Sequence, residues 1–342
     1  MSKDNIYYVS EKLFYGNTAG TKARNDLEEL FNNRNYKKIG PKLVSKQTSS
    51  IFYYLKGYII STILKKDLGK LKNKTIIFQY PITRGKVLIP KIKKISKNNN
   101  IVLFIHDISY LRSNLMTKEE EINFLNHAKI LVCHNERMKE KLISDGISQD
   151  KLLVLECFDY LLSKPVTNYI FDKSICYAGN LDKGTFLGKC DSLFNYKFNL
   201  FGPNYSPFSS TNINYIGNFS PDIVPYKLNS SYGLIWDSTD IDTCKGILGD
   251  YTKYNNPHKF SLYMASGIPV FAWEESYIGS IIKKYNLGFT INSLKDINTI
   301  LDNLTEEEYK IQKNNVLNFQ NKICNGEFTL NILNEIEKKL GD

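Results

Sequence analysis

The chain has 342 residues and a mass of 39.4 kDa, with 42% apolar and 23% charged residues, which excludes a disordered or fibrous chain and suggests two domains. Its 45 lysine and arginine residues exceed its 35 acidic residues, and the net charge of +10 favours anionic partners such as nucleotides, phosphates or an anionic membrane surface. The basic residues are mixed with asparagine, isoleucine and tyrosine. We therefore interpret the excess as a bias of the whole chain, and we expect no nucleic-acid partner.

The cysteines are scattered singly, without a C-x-x-C pair or a histidine at metal-ligand spacing, so we expect neither a zinc site nor a disulfide framework. No run approaches the roughly 18 apolar residues of a spanning helix, and the first residues lack the apolar run of a signal peptide. The sequence predicts a protein with no transmembrane segment, located in the cytoplasm or at the inner face of the membrane.

Short apolar runs alternate with amphipathic segments of helical length, a pattern typical of parallel βαβ units. In the first half we predict strands at residues 6–9, 37–39, 75–79, 101–106, 130–134 and 152–156. The helices predicted between them lie at residues 19–32, 49–64, 86–96, 118–127 and 136–145.

The periodicity is lost over residues 159–173 and resumes at residue 174. In the second half we predict strands at residues 174–177, 197–201, 213–216, 233–236, 270–273 and 288–291, and helices at residues 221–228, 257–266 and 277–285. Only helical patterns follow residue 293. The fold class is therefore α/β, with two doubly wound Rossmann-like domains, and ligands are expected at the carboxyl ends of the strands, in a cleft where the two domains face each other.

Several loops at predicted strand ends carry polar residues. Gly16, Asn17 and Thr18 open a helix, where backbone amides can meet a phosphate or sugar oxygen; alternatively, Thr18 is only an N-cap. His106 and Asp107 follow a strongly apolar strand, a position that suits a general base or a group that orients a sugar, or a histidine that merely ends a strand.

The second half offers further candidates. Lys183 follows a small-residue turn and is a candidate pyrophosphate ligand, whereas the ring of Tyr215 either stacks on a base or packs in the core. The stretch 254–270 is the most informative. There Asn256 is a candidate N-cap, Pro257 suits the first helical position, and Lys259 lies in the first turn. The helix dipole opposes a cation there unless a diphosphate lies between the two; alternatively, Lys259 faces the solvent.

This stretch, N-P-x-K followed by a helix and A-x-G-I-P-V, resembles the nucleotide-sugar signature of two-domain, GT-B-type glycosyltransferases. Together with residues 17–20, 178–181 and 232–237, it is similar to the bacterial glucosyltransferases that add the second sugar to O-linked GlcNAc on serine-rich repeat adhesins. Related enzymes that transfer hexoses, including galactofuranose, into polysaccharides look alike in the same places.

The resemblance implies a UDP-sugar donor bound mainly by the C-terminal domain, an acceptor bound mainly by the N-terminal domain, and a homo-oligomer, either a dimer or a tetramer. We place the N-terminal domain at residues 1–160 and the C-terminal domain at 161–320, with a helix at 321–342 packing on the N-terminal domain or on a partner subunit. The resemblance assigns the following residues to binding of the nucleotide: Thr18, Lys183, Tyr215, Asn255 or Asn256, and Lys259. Where relatives often carry arginine, this chain offers Lys183, which lacks the bidentate fork.

The expected activity is transfer of a hexose, glucose first, from a UDP-sugar to a GlcNAc-modified serine-rich repeat glycoprotein. The alternatives are a hexosyl- or galactofuranosyltransferase of cell-surface polysaccharide synthesis, and a non-catalytic chaperone or lectin subunit. Asp237 and Asp240 resemble the acidic pair of metal-dependent glycosyltransferases, but residues 238–253 are also typical of a polar, mobile loop. We expect a metal-independent enzyme that needs no cofactor besides its donor substrate.

Overall fold

A computed structural model describes residues 5–11, 19–41, 50–113 and 115–341 of the chain. These residues form two compact units, each built around its own sheet of parallel strands. Of the described residues, the first unit comprises 5–11, 24–41, 50–113, 115–156 and 329–341, and the second comprises 19–23 and 157–328.

The sheet of the first unit has six strands in the order β2-β1-β3-β4-β5-β6. They are β1 (Ile6–Val9), β2 (Lys37–Ile39), β3 (Thr75–Tyr80), β4 (Asn100–Ile105), β5 (Ile130–Cys133) and β6 (Leu152–Val154). The helices are α1 (Ala19–Asn33), α2 (Ser50–Leu68), α3 (Gly85–Ile95), α4 (Ser109–Arg112), α5 (Lys118–Leu125) and α6 (Glu136–Ser144), the first residues of α1 belonging to the second unit.

The central strands of this sheet are apolar runs rather than alternating ones. Every residue of β3 is buried, and so are the last five residues of β4. Such runs are expected of parallel strands that are covered on both faces. Strands β4, β5 and β6 end one or two residues before the predicted polar ends His106, His134 and Glu156, which leaves those residues in the loops at the carboxyl edge.

The second unit repeats the architecture with the strand order β12-β11-β10-β7-β8-β9. Its strands are β7 (Ile175–Ala178), β8 (Phe198–Phe201), β9 (Ile213–Gly217), β10 (Tyr232–Ile235), β11 (Val270–Trp273) and β12 (Gly288–Ile291). Its helices are α7 (Val224–Lys227), α8 (Ile247–Tyr251), α9 (His258–Ala265), α10 (Tyr277–Tyr285), α11 (Asp296–Asn303) and α12 (Glu306–Cys324).

Side chains of neighbouring strand residues in this sheet enter two different apolar clusters. Tyr177 and Leu234 belong to one cluster, and Cys176 and Ile235 belong to the other. Because successive strand residues point to opposite faces, the sheet is covered on both sides, as a doubly wound sheet requires.

The prediction of a loop over residues 238–253 is wrong in part, because helix α8 forms within it. Gly249 explains how the chain turns so tightly there: a Cβ atom at this position would lie 1.4 Å from the carbonyl oxygen of Cys244. The last helix is α13 (Glu327–Gly341). Its residue Glu337 contacts Arg34 and Tyr36 of the first unit. Within the described ranges, no helix is both long and apolar enough to cross a membrane.

Candidate functional site

Helix α9 begins one residue later than its sequence suggests. Pro257 has an extended backbone (φ −69°, ψ 138°) and is the N-cap residue, His258 is the first helical residue, and no side chain in the described part of the chain caps the helix. The predicted N-cap Asn256 therefore does not hold that position, and it lies buried just before it. The amides at the start of a helix have no partner within it, so this uncapped end offers N–H donors to a ligand.

Lys259 lies in the first turn of α9, and its ammonium group is held in place. Its Nζ donates to the hydroxyl of Tyr177 at 2.8 Å and to Oδ1 of Asp237 at 2.9 Å. Burial alone lowers the pKa of Lys259, but Asp237 and Tyr177 outweigh burial and hold the pKa above its usual range. Lys259 is thus a fixed cation beside a helix N-terminus, and the solvent-facing alternative is wrong, since only 17% of its side chain is exposed.

Two glycines make room for this lysine at the carboxyl ends of strands β7 and β8. Gly179 has φ +154°, and a Cβ there would lie 3.1 Å from Cε of Lys259. Gly202 has φ +138°, and a Cβ there would lie 1.8 Å from the carbonyl oxygen of Gly179. Any larger residue at either position would therefore displace the loops that border Lys259.

Two polar side chains that flank Pro257 have unsatisfied atoms. Oδ1 of Asn255 and both ring nitrogens of His258 are buried and make no hydrogen bond with the residues that the structure describes. The ring of His258 packs on Phe158 with centroids 4.9 Å apart. Burial, with a smaller contribution from Lys22, lowers the pKa of His258 to about 4, so its imidazole is neutral at physiological pH. Because buried polar groups are nearly always paired, these atoms indicate a place where a ligand supplies the missing partners.

Tyr215 is the middle residue of β9 and is 40% exposed. Its ring stacks on Tyr205, with centroids 4.3 Å apart and an angle of 9° between the planes, and its hydroxyl donates to the carbonyl of Gly202 at 3.0 Å. Tyr215 is therefore a surface ring rather than a core residue. Tyr205 stacks on one face of the Tyr215 ring. Tyr205 was not among the residues predicted from the sequence.

The remaining nucleotide candidates are only partly described. Gly16, Asn17 and Thr18 lie outside the described residues. The backbone of Lys183 ends a short turn that begins at Leu181, and its side chain lies outside the described part of the chain.

His106 lies in the first unit, directly after β4, as predicted. Its Nε2 is 2.8 Å from Oε1 of Gln79, and the amide of Gln79 donates to the carbonyl of Arg24 at 3.1 Å. Arg24 in turn donates to the carbonyls of Gln79 and Pro81. The imidazole is thus oriented by a chain of side chains at the carboxyl edge of the sheet.

Two carboxylates, Asp107 and Glu11, follow strands of the same parallel sheet as this histidine. Asp107 forms an ion pair with Arg112 of α4. Glu11 accepts from the backbone amides of Thr83 and Arg84, and burial raises the pKa of the Glu11 carboxyl. Carboxyl groups with a raised pKa occur often at catalytic sites, so Glu11 joins His106 and Asp107 as a candidate acid or base.

His134 and Glu136, which follow the next strand along the chain, have structural roles. Nε2 of His134 is 3.0 Å from the carbonyl oxygen of Ile105, and the ring is buried. Asn135 is the N-cap of α6, accepting from the amide of Met138, and Glu136 is an exposed partner of Lys139. These residues therefore end β5 and begin α6.

The acidic residues after β10 already have cationic or amide partners. Asp237 pairs with Lys259, whereas Asp240 accepts from the amides of Ile241 and Asp242 and lies 3.5 Å from Lys189. In the described ranges, no three His, Cys, Asp or Glu side chains come together as metal ligands would.

Two residues beside Lys259, His258 and Asp237, have roles that the sequence did not indicate. His258 occupies the variable position of N-P-x-K, where only its type gave a signal. Asp237 was considered as a metal ligand, whereas it pairs with Lys259, because β10 lies next to the strand of Tyr177 in the sheet.

Comparison with solved structures identifies the fold. Anabaena HepE in complex with UDP-glucose superimposes with a TM-score of 0.61 at 10% identity, covering 98% of this chain and 99% of that one. The lipopolysaccharide outer core galactosyltransferase WaaB gives a TM-score of 0.58 at 13% identity, covering 98% and 99%. The chain therefore has the GT-B glycosyltransferase fold, as predicted.

Comparison by sequence identifies the family. The models of the glucosyltransferase 3-like N-terminal and C-terminal domains match residues 7–157 and 175–336. The β-1,6-galactofuranosyltransferase WbbI of Escherichia coli (strain K12) is 31% identical over 97% of this chain and 98% of its own length. Glucosyltransferase 3 of Streptococcus gordonii is 27% identical over 75% of this chain and 77% of its own length. The chain belongs to the glucosyltransferase 3-like family of glycosyltransferases.

Proposed function

We propose that the protein transfers a hexose from a UDP-sugar to a carbohydrate or glycosylated-protein acceptor. The observation that carries this proposal is the start of helix α9 in the second unit. There an uncapped helix N-terminus, the fixed cation of Lys259 and the unpaired atoms of Asn255 and His258 lie within five consecutive residues.

This arrangement suits the diphosphate of a nucleotide sugar. Backbone amides and the helix dipole favour a negative charge at the helix start, and the ammonium group of Lys259 adds a charge-assisted donor. In the reaction, UDP leaves with an additional negative charge, and donors that are already in place stabilise that charge without reorganising. Lys259 serves this role whether or not a metal ion takes part, and we propose that none is needed.

Tyr215, stacked on Tyr205, is our candidate for contact with the uracil ring. Exposed aromatic side chains offer a flat apolar face, and the rings of Tyr205 and Tyr215 hold each other in position. Lys183 and Thr18 remain proposals from the resemblance and from their places in the sequence, and Asn17 and Gly16 remain proposals from their place before a predicted helix.

We assign activation of the acceptor hydroxyl to His106 or Asp107 of the first unit. The hydrogen bond that Nε2 of His106 donates to Oε1 of Gln79 orients the ring of His106, which is what a base or a sugar-positioning group requires. Glu11 is the next candidate.

The donor hexose that we propose first is glucose, with a GlcNAc-modified serine-rich repeat protein as acceptor, on the resemblance to glucosyltransferase 3. Galactofuranose, with a polysaccharide acceptor, is a second candidate. It is favoured by the 31% identity to WbbI over nearly the whole of both chains, whereas the match to glucosyltransferase 3 spans about three quarters of each.

A donor screen tests the proposal. UDP-glucose, UDP-galactose and UDP-galactofuranose are each offered with a GlcNAc-peptide and with a GlcNAc-terminated oligosaccharide, and UDP release and product mass are measured. We expect transfer from one donor and loss of that transfer in Lys259→Met. UDP binding without turnover from any donor would instead favour a non-catalytic chaperone or lectin, and failure to bind UDP would refute the proposal.

A further inference from the structure

The net positive charge of the chain is concentrated in one segment, although the basic residues themselves are spread along the whole chain. Residues 56–97 contain twelve lysine and arginine residues and one acidic residue, Asp67, which is a net charge of +11. The whole chain has a net charge of +10, so the other residues together are almost neutral. This segment covers most of α2, strand β3 and α3.

Helix α2 exposes apolar side chains within this segment. Its inner positions Ser61, Leu64 and Leu68 are buried, whereas the outer residues Ile59 and Ile63 are 48% and 50% exposed. Lys66 follows Ile63 by three residues, so Ile59, Ile63 and Lys66 form one stripe along the helix. Tyr58 beside this stripe is 70% exposed.

The lysines around this stripe lack acidic partners. Lys65, Lys66, Lys72, Lys86, Lys94 and Lys97 are exposed and form no ion pair with the residues that the structure describes. Helix α3 packs beside α2, and a Cβ at Gly69, just after α2, would lie 2.7 Å from Nζ of Lys91. Lys91 of α3 therefore lies beside the C-terminal end of α2, where Lys65 and Lys66 are also located.

We propose that the outer face of α2, with the lysines of α3, binds the surface of an anionic phospholipid bilayer. Unpaired lysines match the charge of the headgroups, and Ile59, Ile63 and Tyr58 match the apolar region beneath them. A nucleic acid offers the same charge but gives exposed isoleucines no apolar contact, so lipid fits both properties of the surface. The inference is independent of the proposed donor site, because it concerns other residues and is tested without turnover.

The test is co-sedimentation of the full chain with vesicles of phosphatidylcholine, with and without about 30% phosphatidylglycerol. We expect binding only with the anionic lipid, and weaker binding at high salt, since a shorter Debye length screens the lysines. The variant Lys65→Gln/Lys66→Gln should bind about 30-fold more weakly, at roughly fivefold for each lysine near an anionic surface. Its control is Lys338→Gln/Lys339→Gln, which also removes two adjacent exposed lysines from the last turn of a helix in the first unit.

A second pair of variants tests the apolar contribution. Ile63→Gln should weaken binding to the anionic vesicles, whereas Ile311→Gln, at an isoleucine of α12 with 47% exposure, should not. Equal losses in a variant and its control would overturn the proposal, as would equal binding to the two vesicle compositions. It is also overturned if a short RNA binds but vesicles do not, or if Ile63→Gln changes the oligomeric mass in light scattering and leaves vesicle binding intact.

Discussion

The buried histidine at the start of α9 gives the most direct test of the site as the structure describes it. Burial and Lys22 lower the pKa of His258 from 6.5 to about 4. This difference corresponds to about 3 kcal/mol in favour of the neutral imidazole. The folded protein therefore binds fewer protons here than the unfolded chain between about pH 4 and pH 6.5.

The sign of the effect on stability follows from this difference. Above about pH 6.5 the stability contributed by a neutral His258 is fully present, and it is lost as the pH falls towards about 4. At pH 5 the loss amounts to about 2 kcal/mol. In His258→Gln this part of the pH dependence disappears, whereas His127→Gln, in the turn after helix α5 of the first unit, keeps it.

Isotope-labelled histidine makes the titration visible, since the chain has only four histidines and His258→Gln assigns the relevant resonance. We expect that resonance to remain in its neutral position down to about pH 5. Adding UDP should raise the pKa, because a diphosphate at the helix start stabilises the imidazolium. Protonation of His258 near pH 6.5 in the protein without UDP would contradict the finding that its ring nitrogens are buried without hydrogen-bond partners among the described residues.

Three further predictions concern the transfer reaction. Gly179→Ala should weaken UDP binding by about tenfold, because a Cβ there displaces Lys259, whereas Gly188→Ala should not, because nothing lies within 4 Å of a Cβ at that position. Calorimetry measures both UDP affinities, and equal affinities would contradict the packing of Gly179 against Lys259. Transfer should persist in EDTA, and complete loss that Mn²⁺ restores would return a metal site to consideration. His106→Ala and Asp107→Asn should keep UDP affinity and slow turnover by about 10²-fold, and near-normal rates in both would leave them as strand-end residues.

Sequence patterns predicted the fold because parallel strands and their helices have local signatures. The buried runs of β3 and β4 need no knowledge of the partner strand to be recognised. Helix α8 was missed because its five residues are too few to show a period and depend on a close contact between Gly249 and Cys244.

The candidate site was predictable only where a single segment carries it. Lys259 follows from N-P-x-K, but its partner Asp237 lies 22 residues earlier and comes close because α9 packs against β10. The stacking of Tyr205 on Tyr215 likewise joins a loop to strand β9, and no local pattern indicates it. The charge of α2 and α3 was visible in the sequence, but the exposure of Ile59 and Ile63 beside it was not.

The central claim is that Lys259 and the start of α9 bind the diphosphate of UDP. Isothermal titration of UDP into the wild-type protein, Lys259→Met and Lys295→Met tests it most directly, because Lys295 is another ion-paired lysine of the second unit, on its surface. A charge-assisted hydrogen bond contributes about 1.5–3 kcal/mol, so Lys259→Met should bind UDP about 10- to 100-fold more weakly while Lys295→Met binds as the wild type does. Wild-type affinity in a folded Lys259→Met variant would contradict the account.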